Sequence, residues 1–238
     1  RSSDLGGDHM PHTPFMENDA ELAGKLAVQA GWAADNGMAL FVVPGTVLAA
    51  GEAKAEHIAQ TQVVLVDLDH GDISAKRYHL ARHLGEPSLE VASGGITPEG
   101  QRKLHLYWRL SEPAEGDDIT TVCRARHMIA CKVGGDPSFR SPHQPIRVAG
   151  SVHAKSGTQR LVEILHCRTR DHDLGDLVEA VMAMPPLEGE VPSDLDFNNA
   201  GVTSGAVTEL FSHVVREGGV DGTRSEEHTS ELQSLSHL

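Results

Sequence analysis

The sequence predicts an α+β fold for this chain of 238 residues. Apolar residues concentrate or alternate in the manner of β-strands at 62–69 and 103–110, and segments with helical periodicity lie between and after them. Hydrophobic residues make up 39% of the chain, which is typical of a globular protein. No apolar stretch reaches the roughly 18 residues of a membrane-spanning helix, so we expect no membrane association.

The predicted helices and strands follow one another along the chain without an internal repeat. Residues 19–35 indicate a helix with Asp19 as its N-cap, and residues 38–45 indicate a strand ended by Pro-Gly. Further strands are predicted at 62–69, 88–93, 103–110, 145–153 and 160–166. Further helices are predicted at 52–60, at 73–84 with Gly85 closing it, and at 117–132, 174–184 and 203–215. Residues 93–102 indicate a glycine-rich loop.

Two acidic residues end the first of the apolar strands. Val63, Leu65, Asp67 and Asp69 fall on one face of that strand, because side chains alternate along an extended chain. Two carboxylates on one side of a strand end can chelate one or two divalent cations. The alternative is a strand that runs into a polar turn, where Asp is common. On these residues alone both interpretations stay open.

The strand at 103–110 alternates between apolar and polar residues. Its polar face carries His105 at the centre, on a strand whose other face is apolar. We therefore expect this strand to be half-buried, with His105 on an open face that could border a cleft. A lone histidine is more often a surface or hydrogen-bonded core residue than a catalytic one.

Segment 134–157 carries an acid and two cations. Asp136 follows two glycines, so a flexible turn can bring its carboxylate to a shared site. Arg147 and Lys155 follow further along the segment. Cations near metal-binding carboxylates suit a triphosphate, because they neutralise phosphate oxygens that the metals also bridge. For either cation taken singly, a basic surface loop is the alternative.

The order of these three motifs resembles the archaeo-eukaryotic primase superfamily, and within it the plasmid- and phage-type replication primases and primase-polymerases. The resemblance covers about residues 35–170. Val-Asp67-Leu-Asp69 matches the first motif of that family, Lys103-Leu104-His105 the second, and Gly135-Asp136 the third. Lys103 departs from the pattern, because the family usually has a small residue there.

The resemblance implies a fold, a chemistry and a set of roles. The fold would be an RRM-like palm, mainly an antiparallel sheet with flanking helices and the acids on its open face. Asp67, Asp69 and Asp136 would hold two Mg²⁺ or Mn²⁺ ions, which activate the attacking hydroxyl and stabilise the leaving pyrophosphate. His105, Arg147 and Lys155 would bind the triphosphate.

The same resemblance implies the partners. They are a single-stranded DNA template, nucleoside triphosphates as NTP or dNTP, and a helicase as a further domain or subunit. The chain would then act in the replication of a mobile element such as a plasmid or phage.

Two other function classes stay open. A metal-dependent nuclease or phosphohydrolase would use the same acids with water as the nucleophile. A replication-initiation module that binds origin DNA without catalysis would not need the acids at all. Arg147 and Lys155 after Asp136 favour triphosphate handling over simple hydrolysis.

The two ends of the chain resemble translated sequencing adapters, namely RSSDL at the start and RSEEHTSELQS near the end. We therefore expect residues 1–5 and 224–238 to be adapter-derived rather than natural. Residues 6–170 would form the catalytic domain. Residues 171–223 would form an acidic linker and the start of a truncated C-terminal module.

Charge is distributed unevenly along the chain. The net charge is -14, which argues against simple nucleic-acid binding. Residues 101–170 nevertheless contain twelve Lys or Arg and six Asp or Glu, whereas residues 171–200 contain eight acids and no Lys or Arg. A basic groove on an acidic protein is consistent with this pattern. The three cysteines lack paired spacing, and we expect them to be thiols in a reducing cytoplasm.

Overall fold

The computed structural model describes residues 15–52, 54–155 and 158–189, and it confirms the α+β class. The helices are α1 (Leu22–Asp35), α2 (Ile73–Leu84), α3 (Asp117–Val133) and α4 (Leu174–Ala183). The strands are β1 (Phe41–Val42), β2 (Thr46–Val47), β3 (Ile58–Leu68), β4 (Leu89–Ile96), β5 (Arg102–Glu115), β6 (Ile146–Arg147), β7 (Val152–Lys155), β8 (Thr158–Leu161) and β9 (Glu163–Cys167). The predicted helix at 203–215 and the predicted adapter-derived ends lie outside the described residues, as does most of 171–223.

A five-stranded antiparallel sheet forms the centre of the fold, in the order β2-β3-β5-β4-β9. Strands β3 and β5 are the longest and lie side by side in the middle of the sheet. Two short antiparallel ladders, β1 with β6 and β7 with β8, complete the strands of the described part of the chain. The predicted, mainly antiparallel sheet is therefore confirmed.

One face of the sheet packs against helices and forms the main core. Alternate residues of β3 and β5 point into it, and Trp108 at its centre is fully buried, with its indole N–H donating to the Gly85 carbonyl at 3.0 Å. The members from the two strands are Val64, Val66, Leu68, Leu104, Leu106, Trp108, Leu110 and Ala114, and they pack with residues of α2, α3 and α4. The predicted alternation of both strands is confirmed, because apolar side chains two residues apart share one face.

The opposite face of the sheet is covered in part, which corrects the expectation of an open face. Leu65 packs there with Phe139 and Ile146, which come from the short 3₁₀ helix Pro137–Arg140 and from β6. His105, predicted to lie on an open face, is only 3% exposed. The chain after α3 folds back over the sheet and shields part of this face from solvent.

Two predicted elements near the N-terminus differ from the structure. Helix α1 has Glu21 rather than Asp19 at its N-cap, although the Asp19 carboxylate accepts the Glu21 N–H at 2.9 Å. The helix predicted at 52–60 is reduced to the 3₁₀ turn Ala55–His57, because Ile58 already begins β3 and pairs with Val47 of β2. Cross-strand pairing there overrides the local helical preference of the sequence.

The boundaries of the other helices agree with those predicted from local sequence signals. Helix α2 spans the predicted residues, with the Asp72 carboxylate accepting the Ala75 N–H at 3.0 Å and Gly85 at its end with φ of +81°. Helices α3 and α4 agree with their predicted spans to within the usual end variation. Strand β4 runs on through Gly94 and Gly95, with an irregular register between Ala92 and Ile96, so the predicted glycine loop is shorter. No helix in the described ranges is both long and apolar enough to cross a bilayer.

Candidate active site

Asp67 and His105 lie opposite each other on the adjacent strands β3 and β5, near the end of β3. The antiparallel register pairs Asp67 of β3 with His105 of β5, and His105 in turn with Val91 of β4. The distance from His105 Nε2 to Asp67 Oδ1 is 3.7 Å. The first and second sequence motifs, far apart in the chain, are thus neighbours on adjacent strands.

Asp136 reaches the same place through the loop that follows α3. Its backbone N–H donates to the Asp67 carbonyl at 3.0 Å. Gly135 allows this approach, because a Cβ added there would lie 2.8 Å from Val66 Cγ2 and 3.1 Å from the Asp67 carbonyl oxygen. Any larger residue would push the loop away from β3, so the glycine before Asp136 is a packing requirement.

The three acidic side chains differ in their contacts. Asp69 lies just past the end of β3, and its Oδ1 is 2.6 Å from His70 Nδ1. The Asp136 carboxylate accepts hydrogen bonds from the Ser138 N–H at 2.8 Å and the Ser138 hydroxyl at 2.7 Å. Among the described residues, no three His, Cys, Asp or Glu side chains are gathered closely enough to hold a metal ion in this arrangement. The backbones of Asp67 and Asp136 converge, whereas the Asp69 and Asp136 carboxylates bind neighbours within their own loops.

Asp67 has the most perturbed carboxylate of the site. Burial, followed by the negative charges of Asp69 and Asp136, raises its pKa to about 7. The positive charges of Arg147 and Lys103 act in the opposite direction. Its side chain keeps 22% exposure, so the carboxylate remains within reach of solvent. Carboxylate oxygens are the hard donors that Mg²⁺ and Mn²⁺ prefer, so the chemistry of the three acids suits a divalent cation, although their side chains are not gathered around a common point in this arrangement.

His105 is a neutral, buried imidazole. Burial, and then the charge of Arg147, lowers its pKa to about 3. Its Nδ1 has no hydrogen-bond partner within the described part of the chain. The ring of Tyr107 stands edge-on at 6.5 Å between ring centroids, and burial raises the pKa of the Tyr107 hydroxyl well above its usual range. His105 is therefore a hydrogen-bonding group rather than a cation.

Arg147 is brought to the site by the β1–β6 ladder. Its Cα pairs with that of Phe41, and its guanidinium carbon lies 5.1 Å from the centre of the Phe41 ring. Its Nη1 donates to the Ser93 carbonyl at 3.1 Å. The positive charge of Arg147 lowers the pKa of both Asp67 and His105, so the three residues share one electrostatic environment.

Lys155 ends β7, where its Cα pairs with that of Thr158. Its side chain lies outside the described part of the structure, so its role stays a prediction. The β7–β8 hairpin packs against β4 at Gly94, where an added Cβ would lie 2.5 Å from the Cβ of His153. The hairpin therefore borders the strand whose Ser93 carbonyl binds Arg147.

Two further residues of this region lie outside the predicted set of site residues. Lys103 departs from the family pattern, and its position in the second motif suggested a phosphate contact; in the structure its stem covers Gly95 and its charge lowers the pKa of Asp67. The alternation of β5 places it on the face of His105, which is a signal the sequence contains. Ser138 binds the Asp136 carboxylate, and an Asp two residues before a Ser is a recognisable turn pattern.

Comparison with solved structures relates this fold to primase domains. The primase-polymerase domain of cyanophage S-2L, described as an AEP domain, has a TM-score of 0.50 and 19% sequence identity, over 65% of this chain and 76% of that one. The catalytic domain of primase RepB' in complex with initiator DNA has a TM-score of 0.40 and 18% identity, over 52% of this chain and 59% of that one. Another structure of primase RepB' has a TM-score of 0.42 and 16% identity, over 76% of this chain and 48% of that one.

The chain has the archaeo-eukaryotic primase type of fold, as the sequence motifs predicted. At 19% identity the likeness to the cyanophage domain concerns the fold, and the activity has to be argued from the site. No protein-family model matches the sequence, and no curated protein matches it.

Proposed function

We propose that this chain contains the catalytic domain of a primase or primase-polymerase that acts in the replication of a mobile element. It would transfer nucleotidyl groups from NTP or dNTP on a single-stranded DNA template. The observation that carries the proposal is the meeting of Asp67, Asp136 and His105 on a primase-type sheet, with the charge of Arg147 beside them.

Asp67, Asp69 and Asp136 would hold two Mg²⁺ or Mn²⁺ ions. Bound there, such ions would activate the attacking hydroxyl and stabilise the leaving pyrophosphate. Asp67 would lose its proton when a cation offsets the charges of its two neighbours. Asp136 would exchange its hydrogen bonds from Ser138 for this role. The proposal thus requires a local rearrangement of the 3₁₀ turn and of the Asp69 side chain.

The triphosphate would lie against Arg147, His105 and Lys155, with Lys103 beside them. Arg147 offers a planar fork of donors already held by Phe41 and the Ser93 carbonyl. His105 would contribute a hydrogen bond without adding charge, because its imidazole is neutral at physiological pH. Phosphoryl transfer needs positioning and charge neutralisation above all, and these groups supply both.

The template would follow the basic segment 101–170. We expect weak template binding by the isolated chain, because its net charge is -14 and salt screens the phosphate contacts. A helicase domain or subunit would present the single strand in the replicating complex.

The test is nucleotide incorporation by the full chain on single-stranded DNA, with Mn²⁺ or Mg²⁺, with and without a primer. Asp67→Ala should lower incorporation by more than about 100-fold, beyond the loss typical of an outer-shell metal partner. Asp19→Ala removes an exposed acid near α1 and should leave the rate unchanged. Products in the unprimed reaction would indicate priming as well as extension.

Other outcomes would favour the other function classes. Shortening of the template that depends on Asp67 would indicate a nuclease. Origin-DNA binding that survives Asp67→Ala, without any incorporation by the folded wild type, would indicate a non-catalytic initiation module.

A further inference from the structure

We propose that Lys76 is a positioning residue that fixes the two loops carrying Asp69 and Asp136. This inference rests on the proposed function for its catalytic meaning, whereas its structural content can be tested separately. Lys76 lies in the first turn of α2 and belongs to none of the three sequence motifs.

The Lys76 ammonium joins the two loops directly. Its Nζ donates to the His70 carbonyl at 2.8 Å and to the Gly134 carbonyl at 2.8 Å. His70 directly follows Asp69, and Gly134 lies two residues before Asp136. One side chain therefore holds the loop after β3 and the loop after α3 at a set separation.

Burial makes this contact strong and hard to replace. Lys76 is fully buried at 0% exposure, which is rare for lysine unless the ammonium is bound. The two carbonyls lie at the end of β3 and at the C-cap of α3, where regular secondary structure no longer supplies donors. Removing the ammonium would leave both carbonyls without this donor, and the loops could then separate.

A purely electrostatic role of Lys76 would change the affinity for a divalent cation in the opposite direction from a positioning role. Removing a positive charge near the acids would make the corner more negative and would tighten the binding of a divalent cation. Loss of positioning would weaken it, because the carboxylates would have to be gathered at the expense of loop entropy. The direction of the change in affinity therefore distinguishes the two roles.

The experiment measures Mn²⁺ affinity and amide hydrogen exchange in the full chain. Lys76→Met keeps the length and volume of the side chain but removes the donor, and we expect the Mn²⁺ dissociation constant to rise about 10- to 100-fold. We also expect the Asp136 amide, which donates to the Asp67 carbonyl, to exchange about 10-fold faster or more. Lys76→Gln retains donors without the charge, so it should lose less than Lys76→Met in both measurements.

Lys132 provides a matched control. Its Nζ also donates to main-chain carbonyls, those of Val181, Met182 and Met184. These carbonyls lie at the end of α4, and not in the loops that carry Asp69 and Asp136. Lys132→Met should lower the melting temperature while leaving Mn²⁺ affinity and Asp136 exchange near their wild-type values.

The outcomes separate the inference from the proposed function. Unchanged Asp136 exchange in folded Lys76→Met and Lys76→Gln would overturn the positioning role, and so would tighter Mn²⁺ binding. A wild type that neither binds Mn²⁺ nor incorporates nucleotides would overturn the proposed function, while the exchange measurement would still decide whether Lys76 fixes the loops. If Lys76→Met does not fold, weaker Mn²⁺ binding and faster Asp136 exchange in Lys76→Gln support the role.

Discussion

Asp67 is a carboxylate placed where ionisation is unfavourable. Strand β3 carries it into the covered face of the sheet, and the loops on either side add the charges of Asp69 and Asp136. Its pKa is raised from 3.8 to about 7 in the fold. An ionised carboxylate at such a position lowers the stability of the fold. Groups with strongly perturbed pKa values are common at functional sites.

We predict that the free energy of unfolding falls as pH rises from about 4 to about 7 in the presence of a chelator, as far as Asp67 contributes. In this window the unfolded chain has already released the Asp67 proton while the folded chain retains it, so rising pH favours unfolding. Asp67→Asn removes this penalty and should be more stable than the wild type at pH 8, by on the order of 2–4 kcal/mol. Near pH 3 the two proteins should differ little. Thermal unfolding across pH with EDTA measures the effect.

Asp19→Asn is the control for this prediction, because the pKa of Asp19 is shifted in the opposite direction from that of Asp67. The hydrogen bond from Lys25 lowers the pKa of the exposed Asp19, so its removal should bring no gain at pH 8. Parallel pH profiles for the wild type and Asp67→Asn would contradict the account of Asp67.

At the scale of elements, the site depends on how closely the loop after α3 approaches β3. Helix α3 ends at Gly134 in the left-handed region, with φ of +61°, and the chain then passes over Val66 at Gly135. This close passage allows the Asp136 N–H to reach the Asp67 carbonyl. The position of Asp136 therefore depends both on the end of α3 at Gly134 and on the close packing of Gly135 against β3.

We predict that Gly135→Ala destabilises the protein by about 1–3 kcal/mol, the usual cost of overpacking a well-packed site. The added Cβ would lie 2.8 Å from Val66 Cγ2, so the loop must move outward and carry Asp136 with it. Mn²⁺ affinity should fall together with stability. Urea unfolding and Mn²⁺ titration of the same variant measure the two effects.

Gly24→Ala provides the control for that substitution. Gly24 lies in α1 with no atom within 4 Å of the added Cβ, so alanine should stabilise the helix by about 0.5–1 kcal/mol. A Gly135→Ala protein as stable as the wild type, with unchanged Mn²⁺ affinity, would show that the loop does not need this glycine.

At the scale of the whole molecule, the described residues contain a hydrophobic core built from their own helices and strands. The five-stranded sheet and both hydrophobic clusters lie between residues 42 and 187, and helix α4 is tied to α3 by Lys132 and by the Leu187 N–H that donates to the Lys132 carbonyl at 2.7 Å. A single core of this extent is sufficient for an independently folding domain.

We therefore predict that a fragment of residues 15–189 unfolds cooperatively, with a melting temperature within about 4 °C of the full chain, a shift of about 1 kcal/mol for a domain of this size. Differential scanning calorimetry of both proteins measures it. The full chain is the control, and a fragment that unfolds without a cooperative transition would show that residues outside 15–189 are needed for a stable core.

Local sequence signals determined much of the fold. The alternation at 103–110 predicted which side chains of β5 enter the core, and Trp108 and Leu106 are fully buried there. Gly85 predicted the C-terminal end of α2, because a helix end depends on residues a few positions apart. The order of the three motifs indicated the primase type of fold before any contact between them was known. These features depend on neighbours in the chain, and sequence patterns record such neighbours directly.

Only the tertiary structure decided how the parts meet. The register of β3 against β5 places His105 opposite Asp67, and the 3₁₀ turn after α3 covers a face expected to be open. No sequence pattern predicted that Lys76 would be buried, yet it is fully buried between the loops that carry Asp69 and Asp136. Strand register and layer packing depend on segments separated by dozens of residues, whose relative placement is set by the sum of all contacts rather than by any local pattern. The sequence by itself thus determined the elements and the chemical groups, and the tertiary structure decided their distances, burial and charge states.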